Sequence, residues 1–263
     1  MTFEVERTET TTNARIGVHK FEMPAISDAE FASEPVSVFM GAITVADSTL
    51  TSLEQALGDP LLSPMGRDQK AEPLRGEAIE RVAAALGQVA KFEEGVNQRE
   101  AALFAVPHIE ATASAVAIED REIRDWWRGL ETVDRAKFIS QVKENPSQHE
   151  RLMIALMRAP APLAMMDHEA TAVREFWQDA KRAGNPDVAA AIDADRKAIA
   201  TANRGLAHLA MVTRRSSGWH AKKVIETIVS SKYEPAKNAY QLFGFDNRDA
   251  AQARREVSAK ASR

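Results

Sequence analysis

Three stretches of this chain place apolar residues at alternating spacings of three and four. That repeat belongs to helices that pack along long seams. One seam runs Leu163, Met166, Ala170, Val173, Trp177, Ala180. A second runs Val188, Ile192, Asp195, Ile199, Ala202, Leu206, Leu209. The third runs Ile79, Val82, Leu86, Val89, Glu93, Val96, Glu100, Leu103. Glu93, Glu100 and Asp195 interrupt the seams, and a charge in a seam costs desolvation unless it is paired. A long coiled-coil rod tolerates such interruptions poorly. Short connections at Gly184-Asn185 and Ser216 to Gly218 favour neighbouring helices within one chain. The expected fold is therefore mainly α, a multi-helix antiparallel bundle.

Composition agrees with helix rather than sheet. Alanine, the best helix former, supplies much of the 44% apolar content, and aromatics at 6% leave little for a large β core. The 263 residues suffice for a sizeable core in one or two domains. Cysteine is absent, which excludes disulfides and thiolate metal sites. The longest apolar run, Val36 to Ala46, is too short for a bilayer, and the first residues lack the basic start and apolar core of a signal peptide. A cytoplasmic protein that meets no membrane is the expectation, or a virion component assembled there.

The expected organisation has three parts: an irregular arm over 1–73, a helical bundle over 74–244, and a basic helical tail over 245–263. Within the arm, residues 1–35 lack burial potential. Residues 36–45 are rich in β-branched side chains, so a short extended segment and a buried helix both fit, with a slight preference for the extended one. Thr51-Ser-Leu-Glu54 has the form of a capping box opening a short helix that Gly58 stops. Residues 59–75, with Pro60, Pro64 and Pro73, read as a linker. Helices are predicted over 74–105, 108–127, 132–143, 146–158, 163–183, 186–214 and 219–233. A further short helix reaches Phe243, and a last one spans 248–260. Asn145 and Asn185, each before a proline, are cap signals. Gly184 is placed to end its helix in a left-handed conformation, and Asp120 fills a gap in the apolar face of 108–127.

Net charge is −4 but uneven: Thr213 to Arg263 carries a balance of +6, the rest −10. Such a tail meets something acidic, either nucleic acid or a neighbouring protein. Arg214, Arg215, Lys222 and Lys223 flank Trp219, a combination that neutralises phosphate and stacks on bases, and Arg254 and Arg255 extend it. Helix-end electrostatics and an ordinary wet helix face explain the same residues without a ligand.

Catalytic signals are weak. His168-Glu169 opens a zinc-protease pattern that fails at Ala172, where the second histidine would stand, leaving a solvated pair. No dinucleotide, phosphate-loop or nucleophile-elbow motif is present, so no cofactor is expected. Glu119 and Glu122 near Trp126-Trp127 allow a helical glycosidase-type hydrolase, although alternating charges there resemble a solvated face. Consecutive tryptophans differ by about 100° on a helix. Either both pack in one core near Gly129, or one packs there while the other marks an interface.

The leading expectation is a non-enzymatic structural or assembly protein. It would be a helical subunit of a larger homo- or hetero-oligomer such as a phage or virion particle, as adaptor, scaffold or internal component. Trp126, Trp127, Glu93, Glu100 and Asp195 are the candidate interface residues. The alternatives are a nucleic-acid-associated helical protein and the hydrolase.

Overall fold

The structure is a computed structural model that describes residues 4–16, 19–110, 112–158, 164–230, 243, 252, 255 and 259. Among these residues the chain is mainly α, with a small antiparallel sheet followed by nine α-helices. It packs as two compact units, the first made of residues 1–96 and 193–263 and the second of 97–192. These units interleave along the sequence, whereas the expected division into arm, bundle and tail ran along the chain.

The first unit opens with a meander of β1 (Glu4–Arg7), β2 (Thr11–Ile16) and β3 (His19–Pro24), in that spatial order. This corrects the irregular reading of residues 1–35. The buried residues Thr12 and Ala14 alternate with less buried neighbours, the period of a half-covered strand. Thr12 looks too polar for that role, but its hydroxyl accepts a hydrogen bond from the Ile26 amide at 3.1 Å. The buried face is therefore satisfied as well as covered. The capping box of the arm is Ser27-Asp-Ala-Glu30, opening α1 (Asp28–Phe31). The predicted box at Thr51 lies inside a longer helix and does not form.

That longer helix is α2 (Glu34–Gly58), which corrects the extended reading of 36–45. Its buried residues Val36, Phe39, Ile43, Ala46, Leu50 and Leu53 fall at spacings of three and four, a fourth seam. By length and composition α2 could cross a membrane, with a mean hydropathy of 1.4, yet half of that stretch is buried inside the protein. Phe39 lies over Gly205 of α8 (Pro186–Ser217), and a Cβ at Gly205 would overlap the ring. Gly205 is thus required by close approach rather than by a turn.

Helix α3 (Pro64–Leu103) begins ten residues earlier than expected and runs through Pro73, so the linker reading of 59–75 holds only for its first residues. Pro64 starts the helix, where a missing N–H costs nothing. The interior Pro73 costs roughly 3 kcal/mol of propensity. Burial along Ile79, Val82, Leu86, Val89 and Val96 offsets it. On α8 the second seam is buried from Ile192 through Ile199, Ala202, Leu206 and Leu209, whereas Val188 is exposed. Ser216 and Ser217 stay within α8, so the turn predicted over Ser216–Gly218 shortens to Gly218 at φ 65°, which leads to α9 (Ala221–Ser230). The helices expected to reach Phe243 and to span 248–260, Arg254 among their residues, lie largely outside the described residues.

The second unit holds α4 (Ser114–Gly129), α5 (Thr132–Glu144), a 3-10 turn (Pro146–His149), α6 (Glu150–Met157) and α7 (Asp167–Gly184). Trp127, Val142, Met153, Leu156, Val173 and Trp177 form its core. Residues 108–110, 112 and 113 are not helical, so α4 starts later than expected. Helix 146–158 opens as the 3-10 turn, and Asn145 makes no side-chain cap bond there. Gly184 stays within its helix, and among the described residues only Gly218 has positive φ. The first seam is buried at Ala170, Val173 and Trp177 but exposed at Met166, and Leu163 lies outside the described residues.

Candidate functional site

Helix α4 carries most of the residues singled out in the second unit. Asp120 and Trp127, seven positions apart, share its buried face. A carboxylate with no solvent exposure must be paired or neutralised. Arg151 and Arg158, also seven apart, reach it from the α6 side, Arg158 at 3.2 Å, and Arg124 stands one turn along α4 at 4.0 Å. The same guanidinium groups donate to the carbonyls of Ala155, Val116 and Pro107. The gap in the apolar face is thus an ion cluster that ties α4 to α6. Burial alone would lower the Arg151 pKa, but hydrogen bonds to Glu119 and Asp120 outweigh it and raise it.

This cluster is poorly suited to acid–base work. Arginine side chains serve only as donors, and Asp120 has its lone pairs committed. Glu119 is half taken by Arg151 at 2.8 Å, and Glu122 is exposed. A glycosidase needs one carboxyl raised by an apolar wall. Both of these lie open to solvent, so the hydrolase reading loses its geometric support. The reading of Glu119 to Glu122 as an ordinary solvated face is corrected too, because Asp120 is fully buried.

His168 is exposed, but Glu169 is buried, which corrects the solvated-pair reading. The Glu169 carboxylate accepts from the Met166 amide at 2.9 Å and lies 3.6 Å from Arg135, so it caps α7 and joins it to α5. Among the described residues no group of three or more His, Asp or Glu is placed to hold a metal ion.

The tandem tryptophans part company. Trp127 is buried in the core, whereas Trp126 is 43% exposed, so the reading that puts both rings in one core is corrected. Trp126 meets Phe138 of α5 edge to face at a centroid distance of 4.9 Å. Phe138 in turn packs on the core cluster, which gives the outer ring a rigid base. The exposed ion pairs Arg128–Asp125 (2.7 Å) and Lys137–Asp134 (3.0 Å) belong to the same two helices. Of the seam interruptions, Glu100 pairs with Arg182 of α7 at 3.3 Å, while Glu93 and Asp195 are half-buried.

In the first unit the basic segment is partly consumed by its own fold. The Trp219 indole N–H donates to the Glu72 carboxylate at 3.1 Å, and Lys223 lies 3.5 Å from the same group. Lys223 also stacks 5.2 Å from the Trp219 ring centre. The ring rests against Gly76, one turn beyond Glu72 on α3. Arg214 donates to the Phe243 carbonyl at 2.9 Å. Arg215, Lys222 and Arg255 are exposed, and Arg254 lies outside the described residues. Sequence reasoning missed Glu72, which sits in the stretch taken for a linker. Its one signal is a carboxylate spaced one turn before a glycine on a helix. Comparison of the chain with protein-family models, with curated proteins and with solved structures finds no match.

Proposed function

We propose that the chain is a non-enzymatic assembly protein, a helical subunit whose second unit presents Trp126 to a protein partner. The observation that supports this most is the split between the two tryptophans. An indole ring held half out of the surface by a packed neighbour, with charged pairs beside it, has the composition of an interface hot spot and its rim. Its cost to a lone monomer is a large aromatic ring left 43% exposed. An adaptor, scaffold or internal component of a phage or virion particle fits this description.

The test is association. Wild-type protein is compared with Trp126→Ala by sedimentation velocity across a concentration series. A hot-spot ring costs at least about 2 kcal/mol when truncated, or roughly thirtyfold in affinity. Loss of the associated species in the variant, with helicity unchanged, supports the reading. Identical behaviour of the two proteins as monomers removes it.

The nucleic-acid reading is less well supported, because Trp219 and Lys223 are engaged with Glu72. Arg215 and Lys222 retain exposed positions for it. Binding to a DNA duplex that weakens steeply with salt and is lost in an Arg215→Ala, Lys222→Ala double variant would restore it.

A further inference from the structure

In the second unit a cavity of about 300 Å³ opens beside Trp177. Six of its eight lining residues are apolar: Phe104 and Val106 follow α3, Met157 and Met165 flank the α6–α7 connection, and Ala170 and Trp177 come from α7. Two polar side chains complete the lining, Arg174 and Gln178, one helical turn apart on α7. Met165, Ala170 and Trp177 are buried, the other walls are half-buried, and Arg174 is exposed. An exposed residue that also lines a cavity marks its mouth.

The charges nearby are otherwise spent. Arg182, stacked 5.4 Å from the Phe104 ring, is paired with Glu100. Arg158 is paired with Asp120 and donates to Pro107. The Trp177 indole N–H is bonded to the Phe104 carbonyl at 2.9 Å. Among the described residues the Arg174 guanidinium has no carboxylate, carbonyl or ring partner. Mostly apolar lining residues with an uncommitted cation among the described residues at the mouth select an amphiphile whose charged end is an anion. Size narrows the class. An apolar cavity of about 150 Å³ takes one benzene. The 300 Å³ here therefore suits a body of roughly twice that size, such as a medium-length hydrocarbon chain.

We propose that this cavity binds a small monocarboxylate with an apolar body, its chain among Met157, Met165 and Trp177 and its carboxylate on Arg174. The site is independent of the Trp126 face and of any assembly role. Sodium decanoate is the probe, with decanol as the uncharged control. Binding to the full chain is followed through the ¹³C-labelled ε-methyl resonances of methionine, with Met157 and Met165 assigned by single leucine variants. Decanoate is expected to shift both resonances saturably and to bind about tenfold more tightly than decanol. Arg174→Ala should abolish that preference. Ala170→Leu, which fills the cavity, should abolish binding of both, with the remaining methionine resonances reporting an intact fold. If Ala170→Leu fails to fold, Met165→Phe serves the same purpose. Decanoate that leaves the two resonances unmoved, or binds Arg174→Ala as tightly as wild type, overturns the proposal.

Discussion

Two buried carboxylates, one in each compact unit, make different predictions. Asp120 has no solvent exposure and is surrounded by Arg124, Arg151 and Arg158. Removing one partner of a buried ion network leaves the others uncompensated, which typically costs about 3–5 kcal/mol. Asp120→Ala is therefore expected to lower the urea-unfolding free energy of its unit by that amount. Glu122→Ala, two positions away but exposed, is expected to change it by less than about 0.5 kcal/mol. Equal effects would place Asp120 outside the structural network.

Glu30 gives a pH prediction. Burial alone would raise its pKa, but hydrogen bonds from Ser27, Lys197 and Thr201 outweigh that and lower it from 4.5 to about 2. The depressed folded value means that the contribution to stability is fully present above pH 4.5 and is lost as pH falls toward 2. At full strength it amounts to about 3 kcal/mol. The gap in unfolding free energy between wild type and Glu30→Gln should thus close progressively across that window. A gap that stays constant through it would contradict the assignment. Neither role was fully legible in the sequence. Asp120 stood out as a gap in an apolar face, but beyond Arg124 on the same helix its partners Arg151 and Arg158 lie more than thirty residues away and no local pattern announces them. Glu30 belongs to a four-residue helix with too few positions to show periodicity.

At the scale of elements, spacing was a good guide wherever a helix was long and buried on one face. The seams of α3, α7 and α8 place their central residues in the core. The α2 seam carries the same spacing but was hidden by β-branched Val36, Val38, Ile43 and Thr44, whose strand preference is weaker than the packing gained by a helical face. The meander was missed for a related reason. Its buried face uses Thr12 and Ala14, which carry little hydrophobic signal. Proline also misled at α3, because the cost of one interior proline is small against a seam of five buried aliphatic residues.

Gly205 puts packing and propensity in direct opposition. Alanine in a helix interior is favoured over glycine by about 1 kcal/mol. Here its methyl would enter the Phe39 ring, and overpacking costs about 1–3 kcal/mol. Gly205→Ala should therefore destabilise the protein, and Phe39→Leu in the same chain should recover part of the loss. A thermal midpoint raised by Gly205→Ala alone would show that α2 and α8 do not approach as closely as described.

For the whole molecule, the candidate residues fall into two groups. The basic segment folds partly onto Glu72 and so serves its own unit. Trp126 has no comparable internal duty beyond its edge contact with Phe138. Sequence reasoning reached Trp126 through the 100° step between neighbours on a helix. It did not show which ring faced outward, because that depends on α5 supplying Phe138 and on α6 and α7 enclosing Trp127. The proposed subunit role rests on that outward ring, and its most direct test is the native mass of the protein in the cells that make it. A subunit is recovered at a mass well above the 28.9 kDa of one chain, and Trp126→Ala shifts it toward that value. A monodisperse species of 28.9 kDa in wild type at cellular concentration would contradict the assembly role.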